Sequence, residues 1–219
     1  MLLHGYGSKK ESFYYQINFL SQFFKVTTAD FPCFGASEPA DGAWSVGDYA
    51  QWLKKFISRA GLEKPHILAH SFGARVAIKA LSEDGTLADK LVITGGAGLV
   101  KPRSPRYMRK VRAYRRIKKL FPKFAEKHFG SEEYKKLSPL MRESYKKIVN
   151  EDLRADAAKI LNPALLIYGK DDKVTPPYEE GEIFNSLIKN SRLEIIEGDH
   201  FCFCRNPELF NHTVLNFLN

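Results

Sequence analysis

The 219-residue sequence is 44% hydrophobic and 27% charged, a globular composition that excludes a disordered chain and suffices for one large domain or one domain with an insertion. Its net charge of +9 is concentrated: Lys101 to Lys147 holds 17 basic residues against four acids, a local net of +13, leaving −4 for the remainder. The longest weakly polar run, Leu91 to Val100, is broken by three glycines and too short to span a bilayer.

In chain order, Met1-Leu2-Leu3 reads as a clipped strand running into His4-Gly5-Tyr6-Gly7. Lys25 to Ala29 reads as a second strand, followed by a Pro/Gly loop from Phe31 to Gly42. Ser45 has the place of a helix N-cap, with Asp48 three residues on to complete a capping box. Tyr49, Trp52, Leu53, Phe56 and Ile57 then recur at helical spacing until Gly61. His66 to His70 is a buried-strand run, and Phe72 to Leu81 a helix with small residues on one side. Leu91 to Thr94 and Ala164 to Tyr168 are further strands. Glu179 to Ile188 reads as a helix, Leu193 to Ile196 as a strand, and Pro207 to Leu218 as a closing helix. This alternation predicts an α/β fold, a parallel sheet with helices on both faces. From Lys101 to about Ala155 there is no strand-like run, only helical patterns separated by Pro122, Gly130 and Pro139. That stretch exceeds what a crossover needs. It predicts an inserted helical cap, with core in 1–98, cap in 99–155 and core again in 156–219.

Four segments carry chemistry. Ala69-His70-Ser71-Phe72-Gly73 lies where a strand meets a helix, and a sharp turn there lifts a serine above the sheet if its neighbours are small. Ser71 could instead merely cap the helix that follows. The glycines of His4-Gly5-Tyr6-Gly7 let main-chain N–H groups approach a developing oxyanion, Tyr6 and Phe72 being the candidate donors; an ordinary Gly-rich turn is the alternative. Gly169-Lys170-Asp171-Asp172 ends another strand, where a carboxylate can hold an imidazole, and Gly198-Asp199-His200 follows the last strand. His212 falls inside the closing helix and reads as a surface or packing residue. The order Ser, Asp, His, each beyond a separate strand, is the strongest signal. A histidine of ordinary pKa, about 6.5, suits a general base near neutral pH.

Together with Asp30-Phe31-Pro32-Cys33-Phe34-Gly35-Ala36-Ser37, these motifs resemble the α/β-hydrolase superfamily, in its cap-bearing branch of esterases, lipases, C–C hydrolases and enol-lactonases. The resemblance runs almost end to end and leaves only the cap unmatched. It implies Ser71 as nucleophile, His200 as base and Asp172, three places after the glycine, as the acid in preference to Asp171. It also implies two further strands before the H-G-x-G strand, which this sequence does not show, so that Lys25 to Ala29 becomes an exposed edge through which a homodimer could pair. Cys33 stands where the family commonly has glycine.

These readings converge on a serine hydrolase cleaving a small or medium acyl substrate, an ester, thioester or lactone, through an acyl-enzyme on Ser71. A C–C bond hydrolase with the same triad is the alternative enzyme, and a non-catalytic ligand-binding protein retaining the fold is the alternative of another class. Gly5, Tyr107 and Tyr114 are expected at the substrate. The basic segment reads as a cap with apolar side chains inward and cations in water, or as a lid attracting anionic substrates or an acidic membrane surface. No recognition fold accompanies the charge, so no nucleic acid is expected. Cys33, Cys202 and Cys204 are odd in number and lack zinc-type spacing; with no secretory signal at the start, they predict reduced thiols in a cytoplasmic protein without metal or cofactor.

Overall fold

A computed structural model describes residues 1–101, 105–120, 134 and 137–219, with some side chains of 105–120 excepted. Its sheet has six strands: β1 (Leu2–Leu3), β2 (Thr28–Ala29), β3 (Ile67–His70), β4 (Leu91–Thr94), β5 (Ala164–Gly169) and β6 (Ser191–Ile196). All pairings are parallel, in the order β2-β1-β3-β4-β5-β6. After β1 the chain goes first to one side, for β2, then to the other, for β3. The connections that leave β1 and β3 therefore run to opposite sides, a switch point of the kind at which open α/β sheets bind ligands.

Strand alternation sorts two cores. Leu3, Ile67, Ala69, Leu91, Ile93, Leu166 and Tyr168 pack with α2 (Val46–Arg59) and α3 (Phe72–Glu83). Leu2, Leu68, Val92, Leu165 and Ile167 pack on the other face with α1 (Tyr14–Leu20) and the closing helix Pro207–Leu218. With both faces covered, β1, β3, β4 and β5 are buried at every position. At the start of α2 the expected capping box forms: Ser45 Oγ accepts from the Asp48 amide at 3.3 Å, and Asp48 Oδ2 accepts from the Ser45 amide at 2.7 Å. Such a cap contributes about 1 kcal/mol.

Between β4 and β5 lie α4 (Pro105–Leu120), α5 (Pro139–Asn150) and α6 (Arg154–Ala157). Helix α5 is tied to the sheet-bearing body by polar bonds. Tyr6 Oη donates to Met141 O at 3.2 Å, Ser144 Oγ to Trp44 O at 2.9 Å and Lys147 Nζ to Ala43 O at 2.6 Å. From α3, the buried Arg75 donates through Nη1 to Ile148 O and Glu151 O, at 3.0 and 3.1 Å, and so satisfies carbonyls at the end of α5.

Three elements depart from expectation. The strand read at Lys25 to Ala29 pairs only at Thr28–Ala29, because its partner β1 is itself two residues long; it does form the sheet's edge. The helix read from Glu179 begins earlier, as a π-helical turn at Pro177–Gly181 with proline in its first turn, and becomes α7 at Glu182–Leu187. Helix α1 escapes the motif pattern because its buried side includes a glutamine. Gln16 is inside because Nε2 donates to Phe203 O at 2.8 Å and Asn211 Oδ1 at 3.0 Å. The last elements are α8 (Cys202–Arg205) and α9 (Pro207–Leu218).

Candidate active site

Ser71 joins β3 to α3 with φ 51° and ψ −102°, a conformation costly for a residue with a Cβ. Its amide donates to Thr94 O at 3.1 Å, which pins the turn to β4. The hydroxyl makes no capping bond to α3, so helix capping does not account for this serine. Gly73 shows why small residues surround it: a Cβ there would lie 2.3 Å from Leu3 O, since α3 runs directly over the end of β1. Gly5 occupies the facing loop, where a Cβ would meet His70 Nδ1 at 2.8 Å and Ser71 Cβ at 3.7 Å.

Asp172 and His200 come from the loops after β5 and β6. His200 Nδ1 lies 2.8 Å from Asp172 Oδ2, and both residues are buried. A carboxylate only accepts, so Nδ1 carries the proton and Nε2 remains available as a base. Asp172 also accepts at Oδ1 from the amides of Val174 and Thr175, at 2.8 and 2.9 Å, and at Oδ2 from Thr175 Oγ1, at 2.8 Å. Burial alone would raise its pKa; the bond from His200, the Thr175 amide and the imidazole charge outweigh it and hold the carboxyl below the usual range. Asp171 is exposed, and its amide donates to Gly198 O at 3.0 Å, fastening the two loops together. The structure thus brings Asp172, and not its neighbour, to the imidazole.

His70, read from sequence only as a strand residue, packs its ring 4.7 Å from that of His200 and 4.8 Å from that of Phe203. Its Nε2 lies 3.1 Å from His200 O and must donate to that carbonyl. Burial, helped by the charge of His200, pushes its pKa down to about 3, so it stays neutral and holds the His200 backbone in place. Thr175 is the other contributor the motifs pass over. The signal for it was the D-x-x-T spacing after a strand, in which an aspartate accepts from amides two and three residues on.

The two candidate oxyanion donors flank this turn. Phe72 N–H is the first amide of α3 and Tyr6 N–H lies beyond β1; neither is spent in a hydrogen bond among the described residues. The Tyr6 ring meets Phe34, Phe72 and Tyr145 edge-on at 5.0 to 5.6 Å between centroids. Tyr114 is half-buried on α4, whereas the side chain of Tyr107 lies outside the described residues. Close behind Asp172, the buried Glu180 is pushed up to about 7 by burial, against the charges of Lys101 and Arg75. Cys202 sits under the site with Sγ 3.5 Å from Thr94 Oγ1, and burial raises its thiol to about 11, an unreactive state. Among the described residues no cluster of metal-ligating side chains occurs, and no helix is long and apolar enough to cross a membrane.

A family model described as "Alpha/beta hydrolase family" matches residues 1–213. The chain is 26% identical over 247 residues to the AB hydrolase superfamily protein YisY of Bacillus subtilis, covering 100% of this chain and 91% of that protein. It is also 26% identical over 221 residues to a 2-hydroxy-6-oxononadienedioate/2-hydroxy-6-oxononatrienedioate hydrolase of Pseudomonas putida, covering 89% of this chain and 77% of that one. Among solved structures, an esterase from Exiguobacterium antarcticum matches with a TM-score of 0.77 at 24% identity, over 99% of this chain and 90% of that chain. That likeness speaks to fold.

Proposed function

Since the chain belongs to the alpha/beta hydrolase family, we propose that it is a serine hydrolase cleaving a small or medium acyl substrate, a carboxylic ester first and a thioester or lactone next. The observation that carries this reading is the buried hydrogen-bonded pair Asp172–His200 in the loops after β5 and β6, together with a strained serine after β3 whose hydroxyl is not used as a helix cap. His200 Nε2 takes the Ser71 proton as Oγ attacks the carbonyl carbon, and Asp172 stabilises the imidazolium that forms. The amides of Tyr6 and Phe72 meet the oxyanion. His200 then returns the proton to the leaving alkoxide and activates the water that hydrolyses the acyl-enzyme. The helices between β4 and β5 act as a cap over the substrate, with Gly5, Tyr107 and Tyr114 in its path.

A fluorophosphonate probe should form one adduct, on Ser71. Ser71→Ala should lose it together with p-nitrophenyl acetate turnover, by about a thousandfold or more. An adduct mapped elsewhere, or turnover surviving in Ser71→Ala, would overturn the assignment. Absent turnover combined with tight binding of a small ligand would favour a non-catalytic protein. The likeness to the Pseudomonas putida hydrolase, named for oxo-dienedioate substrates, supports a second reading, C–C bond hydrolysis by the same residues. Comparing turnover of a vinylogous diketone with that of simple esters separates the two.

A further inference from the structure

We propose that Thr175 is a positioning residue whose hydroxyl locks Asp172 and His200 into one hydrogen-bonded unit; this rests on Ser71, Asp172 and His200 being the reacting groups. The turn after β5 does not need that hydroxyl. The amides of Val174 and Thr175 already hold it, and both donate to Oδ1 of Asp172. Thr175 Oγ1 goes instead to Oδ2, the oxygen that also receives His200 Nδ1–H. One carboxylate oxygen thus serves the turn and the other serves the imidazole, with the threonine assigned to the second.

The same Oγ1 lies 3.2 Å from His200 Nδ1. Its proton is committed to Oδ2, so towards the imidazole it can only accept, and the Nδ1–H is shared between Oδ2 and Oγ1. Three heavy atoms, Oδ2, Oγ1 and Nδ1, close a ring of hydrogen bonds with two protons between them. Thr175 is 2% exposed, so water cannot take its place. Without the hydroxyl, Oδ2 keeps a single donor and the imidazole a single acceptor, and the ring is free to tilt within its site. The other titratable groups facing the pair are His70, Tyr168, Glu180, Asp199 and Cys202, and their protonation is not part of this device.

Thr175→Val keeps the shape and both amide bonds while deleting the hydroxyl; Thr175→Ser restores it. Against an ester substrate, Thr175→Val should lower kcat about tenfold with KM unchanged, as expected for losing one hydrogen bond to a charged group. Removing the hydroxyl changes both the charge on Oδ2 and the acceptors of Nδ1–H, so the acid limb of the kcat/KM profile should be displaced from its wild-type position. The low-field proton resonance of His200 Nδ1–H should shift in Thr175→Val and return in Thr175→Ser. Wild-type kcat, pH profile and resonance in Thr175→Val would overturn the proposal, as would Thr175→Ser being as impaired as Thr175→Val. Turnover surviving in Ser71→Ala would refute the underlying reading instead, and the resonance would still report on the Thr175 bond.

Discussion

The hydrogen on the Cα of Gly73 fills the whole gap between α3 and the end of β1, because a methyl there would sit 2.3 Å from the Leu3 carbonyl oxygen. Backbone cannot yield as a flexible side chain can, so α3 would have to shift and carry Ser71 with it. Gly73→Ala should cost about 1–3 kcal/mol in urea unfolding, and fluorophosphonate labelling of Ser71 should slow well beyond what that loss explains. Labelling at the wild-type rate in a folded variant would show that the turn tolerates displacement. At this scale the sequence was informative where backbone geometry demands a residue type, as at Ser71 and Gly73. It was silent on His70, whose partner is 130 positions away, and for Thr175 its D-x-x-T spacing marks the turn with Asp172 but not the contact with His200, 25 positions on.

Elements were legible where burial is simple. Strand β4 and helix α9 have the expected bounds, and the capping box at Ser45 forms as its spacing implies. Helix α1 was hidden because the Gln16 amide nitrogen donates to α8 and α9, a tertiary arrangement without a local signature. Helix α4 raises a different question, since Arg106, Arg109, Arg112 and Arg116 are exposed and no acid occurs between Pro105 and Leu120. We propose that this helix attracts anionic acyl substrates over distance. Raising salt from about 50 mM to about 500 mM should then depress kcat/KM several-fold for an ester bearing a free carboxylate and leave a neutral ester of equal size unaffected. The triple variant Arg109→Gln, Arg112→Gln, Arg116→Gln should erase that difference; equal salt responses in the parent protein would remove the role.

For the molecule as a whole, the buried ionisable groups set a pH dependence of stability. His70 is held near pKa 3 against 6.5 for the free side chain. Between those values the unfolded chain binds a proton that the folded one refuses, so stability falls as pH drops from 6.5 towards 3. His4, lowered chiefly by burial, acts in the same sense, and the depressed carboxyls of Asp30 and Asp172 add their loss at still lower pH. Glu180 works oppositely: raised to about 7, it favours the folded state at low pH, and that contribution is lost as pH rises from 4.5 through 7. The difference between wild type and His70→Gln isolates the first effect. The urea midpoint of the variant should decline less between pH 6.5 and about 4; parallel curves would mean that His70 is not the acid-sensitive group.

The loop that carries His200 follows β6, the sheet's last strand in sequence, whereas Ser71 follows β3 at its centre. While such a chain is being synthesised, the central strands and α3 can assemble around the serine long before the imidazole emerges. The strained turn would stand finished but chemically inert until β6 docks and His70 receives the His200 carbonyl. Acquisition of reactivity would then be a clock for the final step of assembly, and a truncated or half-folded chain would release no stray hydrolase.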